Sequence, residues 1–549
     1  MYRWSVQNLE LDARTVLLDQ QHGLSADGNL IALARELSDE ETYGPLELYF
    51  ALDGNRRCAL AQQLSERDVA AVPVTRSSMR YYQLLAGAKY LITDTSLPLA
   101  FVKRAGQVLW NTWHGTPLKT LGRREGDEGA LIGNVQKSFM LADYISVSNE
   151  HSALRIVDDY MVRNLSNATM LFADYPRNAP FSESMPPATR AAFISENAHA
   201  YAYLPTFRFS PDTNTKAAAI EEIRAHLAAL DKRLEDGETL FVKLHPAIEG
   251  DLELDALHHI APIPTTLELY EFLALCDVLV TDYSSVMFDF AITGRKIVLF
   301  AFDEDRYEQE RGLYLPLNDL PFPTVHNVDG LVHELRSPKS YDDAAFIDTF
   351  APYRSNRAAK HLCEHIFNGA RDALHEQAIE HGPKPRALVY VDELPADSEF
   401  EMFDAFLARI AKTASVTLAF PTATAKDRVE FLAQLPEAIG FMPLSDLRIL
   451  SPWEWLATHA ARMGILDFSR YENIVHDAIT FEVKRSFGDI AFDSLLCLAR
   501  KDWKAAHFAS AIPANRTTLM MGPEAEKAAP SGFVPSIQSR FRTYVALEA

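Results

Sequence analysis

Two histidines stand where apolar, strand-like segments of the sequence end in turn residues. The first, His114, lies within residues 110–122 (WNTWHGTPLKTLG), where Gly115 allows a tight backbone and Pro117 suits the first turn of a helix. Its imidazole ionises near neutral pH, so it could take the proton of an attacking hydroxyl as a general base. A histidine at a strand end is also often a structural hydrogen-bonding residue, and residue type alone leaves both roles open.

The second histidine, His245, ends the apolar run of residues 241–246 (FVKLHP). Pro246 cannot continue a strand ladder, so the chain turns there and the imidazole is expected to point into a cleft. Contact with a diphosphate is one interpretation of this position. A turn histidine that only caps local backbone groups is the other.

A phosphate-binding arrangement is predicted in residues 277–302 (DVLVTDYSSVMFDFAITGRKIVLFAF), which read as strand, polar turn, helix, glycine stop and strand. Ser284 and Ser285 open the helix, where hydroxyls, backbone N–H groups and the helix dipole could bind a phosphate. The same serines could be simple helix caps. Asp289, on the same helix, lies near a position from which a carboxylate could accept ribose hydroxyls.

Apolar strand-like runs alternate with amphipathic helical patterns along the chain, which is typical of βαβ units and parallel sheets. The first series of predicted strands covers residues 15–19, 46–52, 90–94, 108–113 and 144–147. The second series covers residues 201–204, 240–244, 277–281 and 296–300. Ligands of open α/β sheets bind outside the carboxyl ends of the strands, where the three polar segments fall. We therefore expect a cleft between two doubly wound sheets.

The length of 549 residues exceeds what one hydrophobic core usually serves, so several domains are expected. We predict an N-terminal domain over residues 1–185 and a second α/β domain over residues 186–375. The glycine and prolines of residues 381–385 (HGPKP) end a charged helix and mark a linker. A third α/β domain is predicted over residues 385–549.

Composition and motifs exclude several classes of function. The net charge of −22 repels nucleic acid, so no nucleic-acid partner is expected. The sequence has no P-loop, GxGxxG motif or zinc-spaced ligand set, so ATP hydrolysis, hydride transfer and zinc catalysis are not indicated. The four cysteines are widely separated, which argues against a disulfide framework. No apolar run reaches the ~20 residues of a membrane span. A cytoplasmic protein without a secretory signal is therefore predicted.

One local cluster of positive charge stands against this acidic background. Lys119, Arg123 and Arg124 follow the first histidine motif closely. A loop of solvated cations is the simpler interpretation. The alternative is that these side chains offset the acidic field where a polyanionic substrate enters.

Taken together, these segments resemble those of the CDP-glycerol glycerophosphotransferases, the polymerases and primases of wall teichoic acid. The resemblance spans roughly residues 12–370. Residues 113–119 (WHGTPLK) resemble the first catalytic motif of the family, residues 244–246 (LHP) the second, and residues 281–285 (TDYSS) with 288–289 (FD) the donor-binding signature. Lesser matches are YPRN at 175–178, PTFR at 205–208 and ERG at 310–312. The chain departs from the family pattern at Asp174 and Ala179.

The resemblance implies an α/β fold of two Rossmann-like, doubly wound domains, similar to GT-B glycosyltransferases, that face a cleft. The N-terminal domain would bind the acceptor and the second domain the CDP donor. Residues 385–549 lie outside this resemblance and instead look like the first half of a GT-B glycosyltransferase, so an accessory domain resembling half of a glycosyltransferase is predicted there. His114 and His245 would be catalytic. The implied substrate-binding residues are Gly115, Thr116, Lys119, Arg177, Arg208, Thr281, Asp282, Tyr283, Ser284, Ser285, Asp289 and Arg311.

The implied reaction transfers glycerol phosphate, or another polyol phosphate such as ribitol phosphate, from a CDP-polyol to a hydroxyl and releases CMP. The acceptor would be the end of a teichoic-acid or capsule-type polymer, or its lipid-linked primer. No cofactor is expected to be required, and the use of a divalent cation stays open. Any attachment to the inner face of the cell membrane would be peripheral.

Two alternative functions stay open on the sequence. One is a glycosyltransferase of similar fold that uses a nucleotide sugar for cell-surface polysaccharide synthesis. The other is a non-catalytic scaffold that binds the CDP-polyol or the polymer. The sequence also leaves open the choice between priming and polymerising, and the oligomeric state.

Overall fold

Three sheets of one topology make up the framework of this computed structural model. The structure describes residues 2–125, 131–183, 185–206, 213–244, 254, 256–424, 428–445, 449–462, 472–529 and 533–546. Within these residues each sheet places its first six strands in the order 3-2-1-4-5-6, counted along its own part of the chain. This is the order of a doubly wound sheet, in which ligands bind where the strand order reverses. The predicted α/β class with Rossmann-like sheets is confirmed.

The first sheet comes from the N-terminal part of the chain and one later strand. Its strands are β1 (Asp12–Asp19), β2 (Glu47–Leu52), β3 (Val72–Thr75), β4 (Ala88–Thr93), β5 (Val108–Asn111), β6 (Tyr144–Val147), β7 (Thr169–Phe172) and β14 (His375–Ala378). Their spatial order is β14-β7-β6-β5-β4-β1-β2-β3, and only the β14 to β7 pairing in this sheet is antiparallel.

The second and third sheets have six parallel strands each. The second contains β8 (His199–Leu204), β9 (Glu238–Val242), β10 (Ile260–Pro262), β11 (Val278–Thr281), β12 (Lys296–Phe300) and β13 (Thr324–Val325). The third contains β15 (Arg386–Val391), β16 (Ser415–Pro421), β17 (Ile439–Leu444), β18 (Phe492–Ala499), β19 (Ala514–Met521) and β20 (Thr543–Ala546).

Helices connect the strands, and several begin at side chains that accept free backbone N–H groups. Asn149 caps the helix over 150–159 and Asn327 the helix over 328–336, and Glu268 with Glu271 forms a capping box.

The helices up to residue 193 are α1 (Tyr2–Asn8), α2 (Asn29–Leu37), α3 (Glu40–Tyr43), α4 (Arg57–Glu66), α5 (Met79–Gly87), α6 (Gly133–Leu141), α7 (Glu150–Asp159), α8 (Ala179–Ser182) and α9 (Pro187–Phe193).

The later helices surround the second and third sheets. Those up to residue 368 are α10 (Thr213–Asp231), α11 (Leu269–Leu273), α12 (Val286–Phe290), α13 (Glu304–Arg311), α14 (Val328–Arg336), α15 (Ala344–Phe350) and α16 (Ala358–Asn368). The last are α17 (Phe400–Ala411), α18 (Val429–Gln434), α19 (Pro452–Arg462), α20 (Glu472–Phe487), α21 (Trp503–Ser510), α22 (Pro523–Ala528) and α23 (Phe533–Gln538). Among the described helices, none has both the length and the apolar character needed to cross a bilayer.

The chain returns to the first sheet after it has completed the second. Leu362 and Cys363 of α16 are buried in the same apolar cluster as Ile31 of α2 and Phe50 of β2. Strand β14 then extends the edge of the first sheet beside β7. Residues 358–378 therefore pack with the N-terminal domain, whereas the sequence assigned residues up to 375 to the second domain and the following residues to a linker.

The third sheet shares a hydrophobic core with the first. Leu388 and Val389 of β15 belong to one buried cluster with Phe139 of α6 and Ile156 of α7. The second sheet has separate clusters on its two faces. The third α/β unit is therefore attached to the N-terminal domain by continuous apolar packing.

Polar contacts across this joint give Arg123 and Arg124, two residues of the basic cluster, a role that neither interpretation of the sequence included. Arg123 donates to the carbonyl oxygens of Leu435, at 2.8 Å, and Ile439, at 3.3 Å. Arg124 forms an ion pair at 2.7 Å with Glu437. Both arginines thus hold the segment that precedes β17, and their side chains fasten the third domain instead of lining an entry for a polyanion.

Gly133, the first residue of α6, is a sensitive point of the same joint. A Cβ atom there would lie 2.2 Å from the carbonyl oxygen of Pro443 in β17. We expect Gly133→Ala to lower the stability of the joint by about 1–3 kcal/mol, because backbone atoms must move apart. Differential scanning calorimetry should show that the first unfolding transition occurs at a lower temperature. Gly87→Ala is the control, since its Cβ would meet nothing closer than 3.7 Å, and an equal loss in both variants would contradict the prediction.

Candidate active site

A cleft of about 530 Å³ opens between the carboxyl ends of the first and second sheets. The N-terminal domain contributes polar residues from the loops after β1, β4 and β5. The second domain contributes residues from the loops after β8, β9 and β11. Polar residues of the lining include Gln20, Gln21, Ser25, Asp27, Arg56, Gln63, Asp94, His114, Lys119, Arg177, Thr206, Lys243, Thr265, Ser284 and Ser285.

The loop that carries His114 has an unusual backbone. Strand β5 ends at Asn111, earlier than predicted, because the Asn111 side chain accepts the N–H of Trp113 at 2.9 Å and turns the chain. Trp113 then has a φ of 50° and Gly115 a φ of 146°, both in the region that favours glycine. Such strain persists only where the surrounding structure holds it, and it is concentrated at functional sites.

The ring of His114 is oriented by one backbone group. Its Nδ1 lies 2.8 Å from the carbonyl oxygen of Asp94, which can only accept, so Nδ1 carries the proton and Nε2 has the free lone pair. Burial lowers the pKa of His114 to about 4, and the positive charge of Arg177 acts in the same direction. The imidazole is therefore neutral at pH 7 and able to accept a proton.

This low pKa predicts the acid limb of the pH profile. A histidine base must be unprotonated, and a lowered pKa keeps it so until the pH falls toward 4. We expect the loss of kcat/KM that belongs to His114 to appear below about pH 5, not near the ordinary value of 6.5. If kcat/KM also falls near pH 6.5, the variants Asp94→Asn and Glu268→Gln show which group is responsible. A fall that disappears in one of these variants belongs to that carboxyl group and leaves the prediction intact. A fall that both variants retain would contradict the prediction.

The two serines of the predicted donor signature lie on the opposite wall from His114. Ser284 and Ser285 line the cleft just before α12. A Cβ atom at Gly115 would lie only 2.6 Å from the Oγ of Ser285, so the absence of a side chain there lets the two walls meet. The structure thus brings the predicted base His114, the adjacent Gly115 and both serines to one site.

The three residues before these serines support their loop. Thr281 donates to the carbonyl oxygen of Leu204 at 2.8 Å, and Asp282 accepts the N–H of Thr206 at 2.9 Å. The ring of Tyr283 stacks on Tyr307 with centroids 3.7 Å apart. All three signature residues are fully buried and are not part of the cleft lining. Direct contact of Thr281, Asp282 and Tyr283 with a donor stays a prediction.

Three other predicted binding residues take different positions. Thr116 is buried and accepts a hydrogen bond at 2.8 Å from Asn149, so it lies behind the cleft. Lys119 lines the cleft, with its Nζ 5.8 Å from the ring of Tyr307. Arg311 lies at the end of α13, 3.8 Å from the carboxylate of Glu125, and is not part of the lining.

Arg177 and Asp289 form a buried ion pair of 2.6 Å between the two domains. The carboxylate of Asp289 also accepts the hydroxyl of Tyr270 at 2.7 Å. Asp289 is 2% exposed, and this pairing occupies the carboxylate that the sequence suggested for ribose binding. Contact of either residue with substrate stays a prediction.

The second predicted catalytic histidine, His245, lies outside the described residues, as does Arg208. The two residues before His245 are described, and both Lys243 and Leu244 line the cleft. The chain therefore enters the cleft wall directly before this histidine. Its own role stays a prediction.

Two buried acidic residues at the cleft were missed by the sequence interpretation. Asp94 accepts the N–H of Gln21 at 2.7 Å, and burial raises its pKa to about 7. Glu268 of the second domain accepts the N–H of Gly28 at 2.7 Å, and burial together with nearby Asp27 raises its pKa to about 7. Asp94 is the last residue of the predicted strand 90–94, and this place at a strand end is a signal that could have found it.

His22 is a second imidazole near the base, and it was also missed. It lies in the turn after β1, where Gln21, His22 and Gly23 all have positive φ angles, of 44°, 56° and 81°. Its Nε2 is 3.1 Å from the hydroxyl of Ser96. Within the described part of the chain, no group of three or more histidine, cysteine and acidic side chains is arranged to hold a metal ion.

Several known proteins resemble about half of this chain in sequence. The teichoic acid poly(glycerol phosphate) polymerase of Staphylococcus epidermidis is 27% identical over 325 residues, which is 55% of this chain and 44% of that protein. The teichoic acid glycerol-phosphate transferase of Staphylococcus aureus is 27% identical over 318 residues, 54% of this chain and 80% of that one. The teichoic acid glycerol-phosphate primase of Bacillus subtilis is 26% identical over 300 residues, 52% and 75% respectively. The chain thus spans less than half of the polymerase.

Comparison of structures supports the fold. The wall teichoic acid polymerase TagF superposes with a TM-score of 0.53 at 22% identity, over 65% of this chain and 89% of that one. The model of the CDP-glycerol:poly(glycerophosphate) glycerophosphotransferase family matches residues 1–368, well over half of the chain. The family predicted from the motifs is confirmed. The chain therefore belongs to the CDP-glycerol:poly(glycerophosphate) glycerophosphotransferase family.

Proposed function

We propose that the protein transfers glycerol phosphate from CDP-glycerol to the hydroxyl end of a polyol-phosphate polymer or its primer, with release of CMP. One observation carries the proposal: the neutral His114 and the serine turn meet across the cleft, where Gly115 lies against Ser285. A base on one wall and phosphate-binding hydroxyls on the other are what transfer of a phosphoryl group to a hydroxyl requires.

In the proposed reaction an acceptor hydroxyl attacks the β-phosphorus of the donor. A new oxygen–phosphorus bond forms, the bond from that phosphorus to the oxygen of CMP breaks, and Nε2 of His114 takes the hydroxyl proton. Ser284 and Ser285 would hold the diphosphate, and Lys119 and Lys243, which line the same cleft, would offset its charge. Such transfer needs positioning and charge neutralisation more than covalent help from the protein.

Glycerol phosphate is favoured over ribitol phosphate by the relatives. The polymerase, the transferase and the primase compared above all carry glycerol phosphate in their names. The family model covers residues 1–368, which include both walls of the cleft, so the same donor is the simplest proposal for this chain. CDP-ribitol is the alternative donor.

The proposal is tested by measuring the nucleotide that the purified protein releases. The assay uses CDP-glycerol, CDP-ribitol, UDP-glucose and GDP-mannose, each with and without a glycerol-phosphate oligomer as acceptor. Release of CMP from CDP-glycerol only when acceptor is present is the expected result. Release of UDP or GDP would identify a glycosyltransferase, and binding of CDP-glycerol without turnover would identify a scaffold.

We keep the prediction that no cofactor is required, with a divalent cation on the donor diphosphate as the alternative. Dialysis against EDTA distinguishes the two. We expect CMP release to be unchanged after dialysis. A loss that added Mg²⁺ restores would show that the cation takes part.

For its location we propose the cytoplasm, with peripheral attachment at the inner face of the cell membrane through α1 and α19. Trp4 is 60% exposed, and Trp453 and Trp455 are 77% and 52% exposed. The buried ion pair of Arg3 with Glu454 joins the two helices, so the tryptophans lie on neighbouring elements. Glu454 is the acidic residue of α19 and α1 has none, so their exposed faces carry no carboxylate. Tryptophan prefers the interface between water and lipid.

Flotation with vesicles of phosphatidylglycerol and phosphatidylethanolamine tests this surface. The double variant Trp453→Ser with Trp455→Ser is expected to lower the vesicle-bound fraction at least several-fold and to leave CMP release from a soluble acceptor unchanged. Met402→Ser is the control, because Met402 is 71% exposed on α17. Equal binding by all three proteins would contradict the proposed attachment.

A further inference from the structure

Arg177 joins the two loops on which the proposed reaction depends. Its Nη1 donates to the carbonyl oxygen of His114 at 2.9 Å, and its Nη2 forms the 2.6 Å ion pair with Asp289. His114 belongs to the N-terminal domain and Asp289 to α12 of the second. One planar guanidinium therefore spans the boundary between the domains at the wall of the cleft.

The surroundings of Arg177 hold the guanidinium in place. The side chain is 9% exposed, and the rings of Tyr175 and Tyr270 lie 4.9 Å from its central carbon. The hydroxyl of Tyr270 donates to the same carboxylate of Asp289. Arg177 also reaches α2, since its backbone N–H donates to Asn29 at 3.3 Å. These contacts engage both terminal nitrogens, while the buried Nε has no hydrogen-bond partner among the described residues.

The position of Asp289 connects the ion pair to the donor side. Asp289 lies four residues after Ser285, about one turn along the same helical segment. The guanidinium also lies against Gly115, where a Cβ atom would be 3.2 Å from Nη2 and 2.6 Å from the Oγ of Ser285. A movement of Arg177 would thus change the distance between the base loop and the serine turn.

We propose that Arg177 is a positioning residue that fixes the spacing between His114 and the Ser284–Ser285 turn by bridging their two domains, and that it does not bind the donor itself. This inference rests on the proposed function. A buried ion pair is costly to desolvate and is weak evidence for stability, so the role proposed for this pair is to fix the arrangement of the two loops. The planar fork of arginine suits this bridge, because it holds a carboxylate and a carbonyl at a fixed angle, which a lysine cannot do.

The charge of Arg177 supplies a readout that a purely structural role would not move. Its positive charge lowers the pKa of His114, as does nearby His22, while the hydrogen bond to the carbonyl of Asp94 raises it. Removing the charge should raise the pKa of His114, and the acid limb of kcat/KM should move up by about 1 pH unit. A lysine at this position keeps the charge but lacks the planar guanidinium, so the acid limb of kcat/KM should stay in place.

The experiment compares Arg177→Gln and Arg177→Lys with the unaltered protein in the CMP-release assay. We expect kcat to fall by about 10²-fold in both variants, because an error of about 1 Å in placing the reacting groups has this effect. The KM for CDP-glycerol should change less than about threefold, and the acid limb should rise in Arg177→Gln alone. Arg354→Gln is the matched control, since Arg354 pairs with Asp348 at the surface.

A rise of tenfold or more in the KM for CDP-glycerol with kcat unchanged would show that Arg177 binds the donor, and would overturn the inference. An unchanged kcat in Arg177→Gln would overturn it as well. Should Arg177→Gln not fold, Tyr270→Phe removes one hydrogen bond to Asp289, and a fall in kcat at constant KM is again expected.

Failure of the proposed function can be told apart from failure of this inference. If the unaltered protein releases no CMP, the function fails, and the bridge is then tested by NMR titration of the His114 imidazole. A higher pKa in Arg177→Gln than in Arg177→Lys supports the bridge in that case. Equal values in the two variants contradict it.

Discussion

Replacing His114 by alanine is expected to lower acceptor-dependent release of CMP by about 10²–10⁴-fold, the usual contribution of a general base. The structure supports this size of effect because Nδ1 is committed to the carbonyl of Asp94 and Nε2 has the lone pair. Binding of CDP-glycerol should change little, since the imidazole acts on the acceptor. Initial rates of CMP release and calorimetric donor binding measure the two quantities.

The matched control for this variant is His326→Ala. His326 is a histidine of the second domain whose side chain is 58% exposed, and it is not part of the cleft lining. Its loss should leave the rate of CMP release within about twofold. Retention of most of the activity in His114→Ala would rule out the proposed base and favour a scaffold.

Gly122→Ala is expected to have the largest effect on folding, a loss of about 2–5 kcal/mol. Gly122 has a φ of 59°, and a Cβ atom there would lie 2.1 Å from the carbonyl oxygen of Asp159 at the end of α7. The left-handed conformation costs alanine about 1–2 kcal/mol, and displacement of the packed backbone adds about 1–3 kcal/mol. Thermal unfolding followed by circular dichroism should show the lower Tm.

Gly237→Ala separates the two contributions. Gly237 also has a positive φ, of 88°, but a Cβ atom there would meet nothing within 4 Å. This variant should lose only the conformational part, about 1–2 kcal/mol. Equal losses at the two glycines would mean that the contact with Asp159 relaxes freely, contrary to the prediction.

The regular part of the fold was predictable because parallel strands are buried on both faces and appear as apolar runs. Strand β6 covers the predicted residues 144–147, and β12 covers the predicted residues 296–300. Shorter or edge strands such as β13 and β14 were missed, since β13 has two residues and β14 is fully exposed. Their position depends on pairing with distant strands, which local patterns do not report.

The residues of the candidate site were predicted by type and order, but not by function within the site. Motif resemblance singled out His114 as catalytic and Ser285, Arg177 and Asp289 alike as substrate-binding. In the structure His114, Ser285 and Arg177 all line the cleft, but Arg177 is also held in an ion pair by the buried Asp289. Asp94 was missed, because the burial of its carboxylate and the contact of its backbone carbonyl with His114, twenty residues away, arise only in the folded chain.

The sequence by itself determined the α/β class, the family and the strand ends at which the chemistry lies, because these depend on periodicity and on short motifs within one segment. Only the tertiary structure decided which polar groups are paired and which face the cleft. Burial and long-range contacts set the low pKa of His114, the bridge made by Arg177 and the use of Arg123 and Arg124 to fasten the third domain. Such contacts join residues tens to hundreds of positions apart, and their energies arise only when the packed chain excludes water.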